Sequence, residues 1–329
     1  MNSKVLESVK KILNFTVKRG GFDRVFDKVK IISAGNGKCM AEMVVEKDHT
    51  NGYGTLHGGF TASAVDLFSS LAVSTHPKVV EDIDSIPRSG VSVDLHISYL
   101  ASAKIGEEIV INADTIKLGK HLAYLEVIMS KKADNVIIAK GSHTKFVKEI
   151  FIKYFFKSNI GFSLIIIDNY YSSIIIMNYS NTFESVKKLF NQLVKSDGYY
   201  KNFDKVRLVS AGNGKCVAEM VIHKHHSNIH GTLHGGFIAS ALDFFSSLAL
   251  FTHPKIADTI NSKPKFCVSV DIHVSYMASA KIGDEIVIEA QTIKCGRNIA
   301  YLEVILSKKC VNEVIAKGSH TLYIIQSKI

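Results

Sequence analysis

The segment Phe26–Phe60, FDKVKIISAGNGKCMAEMVVEKDHTNGYGTLHGGF, returns 177 residues later as Phe203–Phe237, FDKVRLVSAGNGKCVAEMVIHKHHSNIHGTLHGGF. The same offset carries Asp66 onto Asp243, Ser92 onto Ser269, Gly106 onto Gly283 and His143 onto His320 without a gap. A period this long lies outside the range of stacked solenoid repeats, so each copy is expected to build its own core. The chain of 329 residues is then a tandem duplication, with one domain at 1–148, a second at 178–329 and a joining segment at 149–177.

Each copy reads as helix, hairpin, helix and then four strands. Residues 4–18 repeat their apolar positions at helical spacing. The apolar runs Lys28–Ser33 and Lys38–Glu46 flank Asn36-Gly37, a strong hairpin signal. Residues Gly58–Thr75 are apolar around nearly the whole circumference, which demands a helix buried on most sides. Val91–Leu100, Glu107–Ile116, His121–Ser130 and Val136–Val147 have strand length and strand alternation. The expected class is α+β: two tandem domains, each a long central helix wrapped by an antiparallel sheet of about six strands.

Composition narrows the function. Lys and Arg number 40 against 30 Asp and Glu, a net charge of +10 that favours anionic partners without choosing among them. The basic residues are dispersed and no aromatic stacking motif accompanies them, which counts against nucleic acid. Cys39, Cys216, Cys267, Cys295 and Cys310 are odd in number and lack CxxC spacing, so no disulfide framework and no structural zinc are expected. His223, His225, His226, His230 and His234 resemble metal ligands, yet the matching positions are Glu46, Asp48, His49, Tyr53 and His57, so no metal is expected. In the joining segment Asp168 divides two uncharged stretches, each short of the ~18–20 apolar residues a membrane span needs, and no transmembrane anchor is expected. The basic, helical N-terminus would suit a mitochondrial presequence or the first helix of the fold, so cytoplasm and mitochondrion both stand as locations.

The chemistry centres on His49–Phe60 and on Asp66 within the following helix. Backbone N–H groups at a helix start lack intrahelical partners and sit at the positive end of the dipole, where a developing oxyanion can be received. Gly58 and Gly59 would let a ligand carbonyl approach, although glycine pairs equally serve tight packing. Asn51 could add a side-chain donor. A carboxylate in an apolar helix costs several kcal/mol unless it is paired or used, so Asp66 is either a base or part of a buried ion network. Eight residues separate Gly58 from Asp66, about 12 Å along one axis, so the two cannot serve one carbonyl carbon. Two such helices packed antiparallel would bring the Asp of each to the glycines of the other. Burial should raise the pKa of such a carboxyl and serine hydrogen bonds should lower it, a balance the sequence leaves open.

The run HTxNxxGTLHGG, the helical Asp and the later SVDxxISYxxxAKxGE resemble the hotdog-fold acyl-CoA thioesterases, particularly the animal thioesterase superfamily member 2 type, from about Phe26 to Thr144 and again from Phe203 to Thr321. That resemblance implies hydrolysis of acyl-CoA, of medium or long chain, without a cofactor. It implies hotdogs paired through their sheets, here the two repeats of one chain, with further homodimerisation open. Carried over residue by residue, the carbonyl-polarising pair falls on Asn51 and the Gly58 N–H and the water-activating pair on Asp66 and Ser92; in the second copy these are Asn228, Gly235, Asp243 and Ser269. His57 and His234 stand as helix-capping or substrate-binding residues, and Lys104 and Lys281 as contacts for coenzyme A phosphates. Enoyl-CoA hydration, a second chemistry of this fold, needs an Asp/His pair, and no His lies between Gly58 and Thr75. A non-catalytic acyl-CoA-binding or regulatory protein is the remaining alternative.

Overall fold

In the first hairpin, β1 (Lys30–Gly35) and β2 (Lys38–Val44) are joined by Asn36 and Gly37 at φ +54° and +78°, the doubly left-handed turn that Asn-Gly favours and whose twist matches the strands. The second copy repeats it at Asn213 and Gly214, between β7 (Arg207–Gly212) and β8 (Lys215–Val221). The computed structural model describes residues 3–79, 90–147, 179–257 and 266–325; the joining segment read at 149–177 lies outside them. β1 begins two residues later than expected because Phe22–Phe26 forms a 3-10 turn that the Val29 N–H closes onto the Phe26 carbonyl.

Ahead of each hairpin runs an amphipathic helix, α1 (Ser3–Lys18) or α3 (Tyr179–Val194). α1 buries Val5, Val9 and Leu13 at four-residue spacing, one face of a helix. After each hairpin comes the central helix, α2 (Gly58–Ser74) or α4 (Gly235–Phe251), buried along nearly its whole length as its apolar circumference requires. Wrapping α2 are β3 (Val91–Tyr99), β4 (Glu108–Leu118), β5 (Leu122–Lys131) and β6 (Ile137–Phe146). Their counterparts around α4 are β9 (Phe266–Tyr276), β10 (Glu285–Cys295), β11 (Ile299–Lys308) and β12 (Val314–Ile325).

Among the described residues the twelve strands form one antiparallel sheet in the order β1-β2-β4-β5-β6-β3-β9-β12-β11-β10-β8-β7, six from each copy. The two halves meet at β3 and β9, where His96 pairs with its own counterpart His273 and so marks a pseudo-twofold axis. Across that seam His96 lies 2.6 Å from Asp271 and His273 lies 2.7 Å from Asp94. On the concave side α2 crosses α4 closely. A Cβ on Gly59 would fall 2.9 Å from the Ser240 Cα, and one on Gly236 would fall 3.0 Å from the Ser63 Cα, so only glycine permits this approach. At the crossing the Ser63 and Ser240 hydroxyls are 3.0 Å apart, and the Tyr199 hydroxyl stands 3.0 Å from each. Among the described residues no helix is long and apolar enough to cross a membrane.

Candidate active site

The close crossing fixes what each helical Asp can reach. Asp66 on α2 accepts a hydrogen bond from the Gly236 N–H at 3.0 Å, at the start of α4. Asp243 on α4 accepts one from the Gly59 N–H at 3.2 Å, at the start of α2. Two composite arrangements result, each taking its carboxylate from one copy and its helix N-terminus from the other. The amide that the carboxylate engages is that of the second glycine of each pair. The first glycine faces the carboxylate edge: a Cβ on Gly58 would sit 2.8 Å from Asp243 Oδ1, and one on Gly235 would sit 3.1 Å from Asp66 Oδ2.

The serines complete each carboxylate, with Ser92 donating to Asp66 Oδ1 at 3.1 Å and Ser269 to Asp243 Oδ1 at 2.9 Å. Asn51 and Asn228 sit in the loops ahead of α2 and α4, where each Nδ2 donates to a threonine hydroxyl, Thr55 or Thr232, at 2.9 Å. An amide has two hydrogens, so each asparagine keeps one N–H beyond that bond. His57 and His234 cap the central helices, their Nδ1 atoms accepting from the Gly59 and Gly236 N–H groups at 2.9 Å. Lys104 and Lys281 are exposed beside the same loops, on bridges to Thr55 and Thr232. In the histidine group of the second copy the His225 and His226 rings meet edge-on, 3.9 Å between centroids, while His223 and His225 lie parallel at 5.7 Å. Among the described residues no group of three or more His, Cys, Asp and Glu is placed to hold a metal ion.

The two arrangements then diverge. Around Asp66 stand Lys145, its Nζ 3.7 Å from Oδ1, and His143, also at 3.7 Å. His234 lies 3.4 Å from Oδ2 and passes its Nε2 to Asp23 at 2.9 Å. Burial disfavours the charged carboxyl, but Lys145, His234, His143 and the Ser92 hydroxyl outweigh it and hold Asp66 down at about 2. His143 is itself pushed down to about 3 by burial and by Lys145, and burial pushes Lys145 below the usual lysine range, with Asp66 pulling the other way. His234 is raised, Asp23 outweighing the cost of its burial.

Asp243 has none of these charges. Leu322 occupies the place of Lys145 and Tyr200 that of Asp23. The Tyr200 ring packs edge-on against His57 at 4.5 Å, and the His57 Nε2 is buried with no hydrogen-bond partner. Burial drives Asp243 up to about 6, with Ser269 and the Gly59 N–H pulling the other way, and drives His57 down to about 3. Beside Asp243 opens a cavity of about 660 Å³ whose walls include Asn51, Gly58, Ser269, Tyr200, Phe251 and Leu322. The sequence reading named neither Lys145 nor Leu322, nor Asp23 nor Tyr200. It followed the positions where the copies agree, whereas the signal here is a change of charge between matched positions.

The family model of the thioesterase superfamily matches the chain twice, at residues 53–138 and 230–314. Acyl-coenzyme A thioesterase 13 of Mus musculus is 43% identical over 143 residues, covering 44% of this chain and 96% of that protein, the extent of a single copy. Zebrafish thioesterase superfamily member 2 is 44% identical, covering 43% of this chain and 97% of its own, with a TM-score of 0.40. A hot dog fold protein of unknown function from Alicyclobacillus acidocaldarius covers 93% of this chain and 99% of its own with a TM-score of 0.57 at 12% identity, a likeness of fold extending over both copies. The expected resemblance and the α+β hotdog class are borne out, and with two matched regions that together span half its length the chain belongs to the thioesterase superfamily and is a thioester hydrolase.

Proposed function

We propose that this chain hydrolyses acyl-CoA thioesters to free acid and CoA at two composite sites, one built on Asp66 and one on Asp243. The observation that carries this reading is the carboxylate of each copy held at the N-terminus of the other copy's central helix. There a thioester carbonyl oxygen can be polarised by the Gly58 N–H and the Asn51 amide, or by Gly235 and Asn228, while the Asp removes a proton from water. The water oxygen adds to the carbonyl carbon, the C–S bond breaks, and the departing thiolate recovers a proton from the Asp. Ser269 or Ser92 keeps the carboxylate oriented through its hydrogen bond. Lys104 and Lys281, exposed at the rims, suit the CoA phosphates, and the apolar cavity beside Asp243 suits a medium or long acyl chain. Cytoplasm and mitochondrion are the compartments in which such a substrate would be met.

This reading takes the two repeats, 1–148 and 178–329, as one functional unit, because neither copy alone joins its glycines to its own Asp. Resemblance to acyl-coenzyme A thioesterase 13 supports the substrate class. The test is thiol release from a C2 to C18 panel of acyl-CoA. We expect the wild-type chain to turn over several members and the double variant Asp66→Asn, Asp243→Asn to lose ~10²-fold or more, the usual effect of removing a positioned base. No thiol release from any member would leave the non-catalytic binding role, and a fully active double variant would exclude the carboxylates as bases.

A further inference from the structure

The walls of the Asp243 cavity and their counterparts in the other half differ in polarity at four positions. Leu193, Tyr200, Phe251 and Leu322 line the cavity. At the matching offset stand Thr16, Asp23, Ser74 and Lys145. Each of the four positions is apolar or aromatic at one site and polar or charged at the other. The polar set is moreover engaged and buried: Asp23 holds His234, and Lys145, only 4% exposed, donates to the Ser70 hydroxyl at 2.6 Å while facing Asp66.

We propose that the two sites divide substrates by acyl chain, the Asp243 site taking long apolar acyl groups and the Asp66 site short or polar ones, with positions 145/322 and 23/200 determining the specificity. The inference rests on the reading of Asp66 and Asp243 as the two bases. A tail lying along Leu193, Phe251 and Leu322 exchanges water for hydrocarbon, and each methylene so buried improves binding about fourfold. A tail entering the matching space of the other site would have to strip the remaining solvation from Lys145 and Asp23 and offer no hydrogen bond in return. Such a cost grows with every carbon that reaches past the carbonyl, so it leaves short acyl groups and shuts out long ones. Four extra methylenes accommodated at one site alone correspond to a preference of roughly 10²-fold.

Single-site chains provide the test. Asp66→Asn leaves the Asp243 site, Asp243→Asn leaves the Asp66 site, and kcat/KM is measured for C4 to C16 acyl-CoA. We expect the C16 to C4 ratio to be at least ~10²-fold higher for Asp66→Asn than for Asp243→Asn. Coincident chain-length profiles for the two variants would overturn the proposal while leaving the hydrolase reading intact; a double variant as active as wild type would instead overturn that reading. Leu322→Lys in the Asp66→Asn background should lower the C16 to C4 ratio by ~10²-fold, and Lys145→Leu in the Asp243→Asn background should raise it. If Lys145→Leu fails to fold, titration calorimetry of the full chain with the hydrolysis-resistant thioether S-hexadecyl-CoA decides. One tight site per chain, abolished by Leu322→Lys, supports the proposal, and two equal sites refute it.

Discussion

Lowering the pH should silence one site and leave the other running. Asp243 is held at about 6 by its burial among neutral neighbours, whereas Asp66, facing Lys145, is held at about 2. A carboxylate base works only when ionised, so protonation removes activity. With a pKa of about 6, the ionised share falls from roughly three-quarters at pH 6.5 to roughly 3% at pH 4.5, a drop of about 25-fold. Asp66 stays ionised across that window. His57, His143 and His320 sit near 3 and do not titrate within it. The Asp66→Asn variant should therefore lose about 25-fold in single-turnover thiol release between pH 6.5 and 4.5, and Asp243→Asn should change by less than about twofold. Stopped-flow mixing with a thiol reagent compatible with acid quench gives the rates, and near-ultraviolet circular dichroism checks the fold at pH 4.5. Equal acidic limbs in the two variants, or a limb near pH 6 only in Asp243→Asn, would refute the reasoning that Lys145 and Leu322 set the bases apart.

Three further outcomes follow from the same contacts. Gly58→Ala would place a Cβ 2.8 Å from Asp243 Oδ1, so the Asp243 site should lose ~10²-fold in kcat/KM, while Gly235→Ala, at 3.1 Å from Asp66 Oδ2, should cost the Asp66 site about tenfold or less. Gly318→Ala on β12 would drive a Cβ into the Leu242 side chain and to 2.5 Å from the His273 carbonyl; urea unfolding should show about 3 kcal/mol of lost stability, more than Gly141→Ala, whose nearest neighbour is the Val65 side chain at 2.6 Å. Asp243 is raised on folding, so its protonated form stabilises the fold below the usual carboxyl range and that stability is lost as pH rises through about 6. Asp243→Asn should accordingly stabilise the protein by ~1–3 kcal/mol at pH 7.5, with a higher Tm, and the gain should shrink as pH falls from 6 toward 4.

Much of the architecture was legible because it rests on local rules. Asn36-Gly37 could only turn, and a segment apolar on every side, Gly58–Ser74, could only be a core helix. The start of β1 was misjudged by two residues because nothing in FDRVF announces a 3-10 turn. Which glycine amide each carboxylate meets was not legible, because it is decided by the crossing of α2 and α4 at Ser63 and Ser240. The balance between burial and hydrogen bonding at the two carboxyls was not legible either. It depends on Lys145 and Asp23, residues far from Asp66 in sequence, and Asp23 acts through a histidine 211 positions away.

The Tyr199 phenol touches both serines where α2 and α4 cross, and its matched residue is Phe22, which brings only hydrocarbon to the corresponding place against His234 and Phe237. The molecule is nearly twofold, yet one serine pair can receive one hydroxyl. Two second copies would crowd two phenols onto it, and two first copies would supply none. The two halves thus bring unlike residues to their crossing, and because both lie in a single chain a change on one half no longer has to be suffered by both.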